Sequence, residues 1–191
     1  MTGAEVVSTL PVDTLVGMLP IPQPEADELK AGLPFRSLAC VFLSAGGEPI
    51  SEDTWTYFPD RQVLFGRTHE PPNWSQHMAP AGTTSLCAEV FCSEGDSVWC
   101  RPDGDLIEAV IADLDRLRFL DRSRVKQAWV LRVSHAYPVY QVGYAAHLAR
   151  VTSALARWPT LHLLGRTGTF QYLNMDAVIR GGLELARLLC Q

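Results

Sequence analysis

The sequence has no apolar run approaching the ~18 residues that a membrane span requires. Its first residues, "MTGAEVVSTLP", lack the basic start and apolar stretch of a secretory leader, so the expectation is a cytoplasmic protein with no membrane span. Positive charge is scarce. The 16 Lys and Arg are outnumbered by 21 Asp and Glu, the net charge is −5, and no basic cluster exceeds a few residues. A nucleic-acid partner is therefore excluded, because counterion displacement needs a basic face. The five cysteines (Cys40, Cys87, Cys92, Cys100 and Cys190) are odd in number and irregular in spacing, which reads as free thiols in a reducing compartment. The five histidines (His69, His77, His135, His147 and His162) form no H-x-H or H-E-x-x-H pair. A zinc site drawn from His69, His77, Cys87 and Cys92 matches no standard spacing. No G-x-S-x-G, no G-x-x-x-x-G-K, no internal repeat and no low-complexity segment occurs.

What is there suits a folded chain: 191 residues, 47% hydrophobic and 19% charged. "AEVVSTLP" is a short strand with β-branched Val6 and Val7, stopped by Pro11. "VDTLVGML" is a short helix or turn, and a second short helix is expected from Glu25 to Ala31, after Pro24. "FRSLACVFLSA" is a strong strand ending at a Gly46-Gly47 turn. "TWTYF", "PDR" and "QVLFGR" read as a hairpin, "THEPPNWSQHMAPAGTT" as a proline-rich loop, and "SLCAEVFCS" as the next strand. A helix capped by Asp103 follows, with Ile107, Val110, Ile111, Leu114 and Leu117 on one face. "VKQAWVLRVSHAYPVY" is a long strand ended by Pro138. "GYAAHLARVTSALARW" is a helix with Tyr144, Leu148, Val151 and Leu155 on one stripe, "TLHLL" is a buried strand, and the last helix runs from about Asn174 to Leu189. The middle of the chain is thus an α+β layout of strands in hairpin order. The short apolar strands at the two ends are of the kind buried in an α/β sheet, and they suggest a sheet whose other strands lie elsewhere.

"GRTGTFQYLNMDAVIRGG", Gly165 to Gly182, is the first candidate for chemistry. A helix start exposes unpaired N–H groups and the positive end of the helix dipole, which favour an anion or an electron-rich heteroatom. Asn174 suits the N-cap, and Asp176 falls in the first turn. Gly165 and Gly168 permit a close backbone approach, and Gly181 and Gly182 permit close packing of the helix. The same residues also fit a plain capped strand-to-helix turn. Elsewhere, Arg67 and Glu89 are placed to meet as a cross-strand pair, either structural or facing a substrate. Asp113 and Asp115 read as the solvent side of a helix, and "EPPNW" as a connector.

The stretch "LLGRTGTFQYLNMDAVIRGGLELARLL" resembles the C-terminal signature of FAD-dependent oxidoreductases of the protoporphyrinogen oxidase, amine oxidase and UDP-galactopyranose mutase group. The matching residues are Gly165, Arg166, Gly168, Phe170, Tyr172, Asn174, Met175, Asp176 and Gly181. Three further segments resemble the family in the same order. "AEVVSTLPVDTLVGML" is similar to its strand ending in Thr-x-Pro. "VLFGRTHEPPNWSQHMAPAGTTSLCAEVF" is similar to its substrate-domain segment, and "AYPVYQVGYAAHLARVTSAL" to its Tyr-Pro-x-Tyr step.

The resemblance implies an antiparallel-sheet substrate-binding domain with helices, residues 21–158. It also implies pieces of an incomplete FAD-binding α/β domain at residues 1–20 and 159–191. By the same resemblance Gly165, Arg166, Tyr172, Asn174, Met175, Asp176, Thr9 and Pro11 bind FAD. The Asn174–Asp176 helix start would face the pyrimidine end of the ring, and Gly165 and Arg166 the ribityl–pyrophosphate path. Arg67, Tyr137 and Tyr140 would face a small-molecule substrate, with Tyr172 also a candidate for that wall. The implied activity is flavin-mediated oxidation. A mutase-like sugar-nucleotide branch, which would want paired arginines from among Arg67, Arg132 and Arg166, is the alternative. A binding module, or a split subunit that needs a partner chain, is a further one.

The family's G-x-G-x-x-G turn, which holds the ADP half of FAD, does not occur here; "SAGGEP" has neither its spacing nor a helix behind it. The chain therefore reads as the C-terminal half of such an enzyme, a truncated gene product or one chain of a split protein. It is expected to be inactive alone, and to need a partner bearing that turn or a homo-oligomer. One expectation follows from the cysteine pattern. Denatured without reductant, the chain should show five titratable thiols, and a count of three or one would reveal disulfides.

Overall fold

The computed structural model describes residues 4–190. They form two compact units. One combines the two ends of the chain, through Arg36 and from His135 onward, and the other is Ser37–Ser134.

The Ser37–Ser134 unit is a sheet covered on one side by a helix. Strands β2 (Phe35–Gly46), β3 (Trp55–Tyr57), β4 (Arg67–His69), β5 (Thr83–Cys92) and β6 (Val125–Pro138) lie in the order β3-β4-β5-β2-β6. The β3/β4, β4/β5 and β2/β5 pairs are antiparallel. Register decides the faces, because successive side chains alternate across a strand. Ala39, Val41 and Leu43 stand opposite Val90, Ala88 and Leu86. These six are buried with Leu106, Val110, Ile111 and Leu114 of α3 (Asp103–Arg116) in one core. The expected helix face is right at its centre, while Ile107 and Leu117 sit at the core's edge.

Local corrections come from tertiary partners. The hairpin exists, but its return strand is Arg67–His69 and not Gln62–Arg67, with Trp55 opposite His69 and Tyr57 opposite Arg67. Val63 and Phe65 turn inward instead, and Phe65 meets Phe58 edge-on at 4.8 Å. Asp113, expected in solvent, holds that segment: its carboxylate accepts from the Leu64 amide at 2.9 Å and from Arg116 at 2.9 Å. Pro102, not Asp103, is the N-cap of α3. Asp103 is the first helical residue and pairs with Arg132, whose guanidinium also donates to the Trp99 and Arg101 carbonyls. The proline-rich loop holds two short 3₁₀ turns, Pro71–Asn73 and Gln76–Met78. Ahead of them buried Glu70 accepts from the Ile50 and Ser51 amides and the Ser51 hydroxyl, at 2.8–2.9 Å.

The unit made from the chain ends packs α1 (Val12–Met18), α2 (Gln23–Ala31) and α4 (Tyr144–Leu155) around a second core. Its buried members include Val12, Val16, Leu29, Leu33, Val151, Leu155 and Phe170. Val151 and Leu155 of the expected α4 stripe are buried, with Tyr144 and Leu148 beside them. Strands β1 (Val6–Ser8) and β7 (Leu161–Leu163) form a two-stranded parallel sheet, Val6 opposite Leu161 and Ser8 opposite Leu163. Beyond β7 come a four-residue helix, α5 (Gly165–Gly168), and α6 (Met175–Leu189). The strand therefore reaches the last helix through an extra turn of helix, which its sequence pattern does not announce.

The first core predicts a large response to one truncation. Leu114 is fully buried, and Leu114→Ala should lower unfolding free energy by about 3 kcal/mol in urea titration. A loss under about 1 kcal/mol would mean that α3 is not packed on the sheet as described.

Candidate functional site

The turn after β7 is built by two glycines with different tasks. Gly165 has φ +82°, a left-handed conformation that L side chains rarely adopt, and a Cβ there would meet open space. Gly168 is tight: a Cβ would lie 3.1 Å from the Ser8 carbonyl oxygen and 3.4 Å from that of Leu10. Its closeness thus serves the chain's own β1 segment and not a ligand. Thr9 joins it by accepting at its carbonyl from the Thr167 hydroxyl at 3.2 Å. Pro11 is the N-cap of α1. Phe170 keeps a positive φ of 51°, an uncommon state for a non-glycine residue. Its buried ring packs edge-on against Phe35 at 5.1 Å, and that packing fixes the turn.

Four expected site residues come together next to this turn. The Arg166 guanidinium donates twice to the Leu173 carbonyl, at 2.9 and 2.6 Å. It lies over the Tyr172 ring at 4.6 Å and the Tyr137 ring at 5.5 Å. Those two rings stack at 5.5 Å. The Tyr172 amide donates to the Tyr140 hydroxyl at 2.7 Å. Arg166 therefore grips the residue just before α6, and its charge adds to the positive end of that helix. Asn174 is the N-cap of α6 as expected, yet its side chain makes no capping hydrogen bond; Asp176 is in the first turn, and Met175 is exposed. Gly181 and Gly182 face the Leu164 side chain.

This corner fits one end of FAD and not the other. Open space at Gly165, an arginine, an unspent Asn174 side chain and first-turn N–H groups would suit an electron-rich ring edge and a ribityl chain. No glycine turn for the pyrophosphate and ribose of the ADP half is in the sequence.

The second cluster lies in the Ser37–Ser134 unit, on the sheet face opposite α3. Register aligns Tyr57, Arg67, Glu89 and Cys40 across four strands, and Trp55, His69, Cys87 and Phe42 in the neighbouring row. The expected cross-strand pair is formed, with Arg67 Nη2 at 2.7 Å and Nε at 2.8 Å from Glu89 Oε2. Arg67 also stacks over Trp55 at 4.4 Å. His69 Nδ1 is 3.4 Å from Glu89 Oε1, and its ring contacts Trp55 at 4.6 Å and Trp74 at 5.5 Å. Burial would push the Glu89 carboxyl up, but hydrogen bonds and charge from His69 and Arg67 outweigh it and hold the group below the ordinary carboxylate range. Trp55, His69 and Trp74 were missed from sequence. The usable signal was Trp55-x-Tyr57 beside Arg67-x-His69, two i, i+2 pairs facing one way once the hairpin's true return strand is known. Among the described residues no group of three or more His, Cys, Asp or Glu could hold a metal ion, and no helix is long and apolar enough to cross a membrane.

These elements define the class: the chain has the fold of FAD-dependent oxidoreductases. Among solved structures it is similar to a reduced UDP-galactopyranose mutase, with TM-score 0.76 and 24% identity, over 90% of this chain and 37% of that one. It is also similar to a protein from Exiguobacterium sp. 255-15 assigned as a protoporphyrinogen oxidase, with TM-score 0.63 and 26% identity, over 85% of this chain and 36% of that one. A putrescine oxidase bound to putrescine matches with TM-score 0.64 and 14% identity, over 99% of this chain and 43% of that one. The chain thus spans about two fifths of the length of these structures. No protein-family model and no curated protein sequence matches it.

The buried pair gives a pH-dependent prediction. A carboxyl held low in the fold contributes stability above its unfolded pKa of about 4.3, and that contribution disappears as pH falls through the folded value. Arg67→Met strands the Glu89 charge and should cost about 3 kcal/mol at pH 7. The cost should shrink near pH 4, where the stranded carboxyl can take a proton. Equal losses at both pH values, measured by urea unfolding, would refute the pairing argument.

Proposed function

We propose that this chain is the substrate-binding and flavin-closing C-terminal portion of an FAD-dependent oxidoreductase that oxidises a small organic substrate. The observation that supports it most is the corner where Arg166, Tyr137, Tyr140 and Tyr172 meet the start of α6. Residues 1–20 and 159–191 serve the flavin side in this reading, and residues 21–158 the substrate side. Bound FAD would supply the electron-accepting ring. The chain's own part is to hold and polarise it. First-turn N–H groups at residues 175–177 and the α6 dipole favour negative charge at the pyrimidine edge. Asn174, Met175 and Asp176 present that helix start. Gly165 and Arg166 line the ribityl path, with Thr9 and Pro11 alongside, and Tyr172 closes the corner. Tyr137, Tyr140 and Arg67 face the substrate. The ADP half of FAD needs a G-x-G-x-x-G turn, which these 191 residues do not contain.

A second reading, a sugar-nucleotide mutase portion, has one observation in its favour. Of the three arginines open to that role, Arg132 is spent on the Trp99 and Arg101 carbonyls and Asp103. Arg67, paired with Glu89, and Arg166, on the Leu173 carbonyl, each keep a guanidinium over aromatic rings.

The test is flavin retention. The purified 191-residue chain should carry no stoichiometric flavin absorbance. Joined with a polypeptide that bears the G-x-G-x-x-G turn, the complex should be yellow, and Arg166→Met should weaken FAD binding about tenfold, the size expected for losing a charged hydrogen bond. A colourless complex would overturn the flavin reading. Oxidation of amines against turnover of a UDP-sugar by the yellow complex separates the two branches.

A further inference from the structure

Two of the five cysteines share the sheet face opposite α3. Cys40 stands opposite Glu89, and Cys87 stands opposite Phe42 on one side and His69 on the other. Cys87 is two residues along β5 from Glu89, so it points to the same face and is the diagonal neighbour of Cys40. Both thiols are buried, at 9% and 0% exposure, and both are free. They lie within hydrogen-bonding reach of one another, Cys87 donating to Cys40. That contact holds the Cys40 thiol below its ordinary value, against the opposing effects of burial and the Glu89 charge and with help from Arg67. The same contact, together with burial, pushes Cys87 up. The pair is therefore asymmetric: Cys40 is the better nucleophile and the more open to solvent, and Cys87 keeps its proton. Cys92 does not join them, because it lies on the α3 side of the sheet in the aliphatic core.

We propose that Cys40 and Cys87 are a redox switch: a hydroperoxide closes them into a cross-strand disulfide, and a thiol reductant opens it again. The Cys40 thiolate attacks one peroxide oxygen, an S–O bond forms as the O–O bond breaks, and the departing hydroxide takes up a proton as water. The Cys87 sulfur then displaces the new hydroxyl from Cys40, and its proton leaves with that oxygen as a second water. Two thiols and one hydrogen peroxide become one disulfide and two waters, the sulfurs oxidised and the peroxide oxygens reduced. Diagonal positions start wider than the Cα spacing of a relaxed bridge, about 5.5–6 Å, so β2 and β5 shift to close it. A bridge closed against such resistance is readily reduced, which suits a switch and not a permanent staple. Glu89 directly faces Cys40, and His69 directly faces Cys87. The shift therefore reaches the buried Arg67–Glu89 pair, and oxidation alters the polar face itself. The inference is independent of the flavin reading and uses only side chains of the Ser37–Ser134 unit.

The test uses the full chain with the exposed thiols removed by Cys100→Ser and Cys190→Ser, which leaves Cys40, Cys87 and Cys92. Hydrogen peroxide is added and quenched, and the chain is denatured, alkylated and mapped by mass. The expected product links the peptides of Cys40 and Cys87, leaves Cys92 as a thiol, and reverts with dithiothreitol. The pair should be consumed about tenfold faster than Cys92. Adding Cys87→Ser should stop the reaction at a Cys40 sulfenic acid, which dimedone captures. Adding Cys40→Ser should leave Cys87 reduced. The Arg67 Nε–H resonance should move on oxidation and return on reduction. The proposal is overturned by the lack of a Cys40–Cys87 link, by a link that forms only in the urea-unfolded chain, by Cys92 reacting as fast as the pair, or by an Arg67 resonance that does not move. Should either serine variant at the pair lose its circular dichroism, the linkage map and the Arg67 resonance, both read with the pair intact, decide the matter.

Discussion

A parallel ladder between residues 6–8 and 161–163 is the constraint on which the end-built unit depends. Its outer bonds, Val6 amide to the Thr160 carbonyl at 2.8 Å and Leu164 amide to the Ser8 carbonyl at 2.9 Å, lock segments more than 150 residues apart into one register. That register brings the Ser8–Leu10 backbone so close that a Cβ at 168 would lie 3.1 Å from the Ser8 carbonyl oxygen, and the chain after β7 takes a left-handed step at Gly165. Loop closure on this scale is entropically costly, and burial of the second core, Phe170 included, works against that cost.

The other unit solves its problem with one sheet and two unlike faces. One face is aliphatic and buried under α3. The other carries an arginine, a buried carboxylate and a histidine between tryptophans. A carboxylate like Glu89 is held in such a place only by opposite charge, which is why Arg67 and Glu89 act as a unit. The exposed aromatics around them, Trp55, Tyr57 and Trp74, give this face the character of a binding surface.

At the α6 corner, charge and shape come from different elements. The helix contributes a dipole, Arg166 a fixed cation, and Tyr137 and Tyr172, from two separate segments of chain, a pair of stacked rings. Arg166 is held by the carbonyl of Leu173 and by stacking, not by an acidic partner, and a cation placed so keeps its field available to a ligand.

Much of this was legible in the residues. The strands with β-branched or alternating patterns, the three amphipathic helices, the free thiols and the Arg67–Glu89 pair all follow from period and spacing, because they depend on near neighbours or on one hairpin. The family order of "GRTGTFQYLNMD" pointed to the right fold. Tertiary structure alone decided the rest. Val63 and Phe65 left the strand pattern because a core needed them, and the return strand moved to Arg67–His69. Asp113 turned from solvent to a loop amide, and Asp103 from cap to ion pair. Arg166, Tyr137, Tyr140 and Tyr172 span more than thirty positions, and no local pattern brings them together. Sequence thus determined which elements form, through local periodicity. The choice of which polar groups meet belonged to long-range packing, since a buried charge or a bare amide takes whatever partner the fold places within reach.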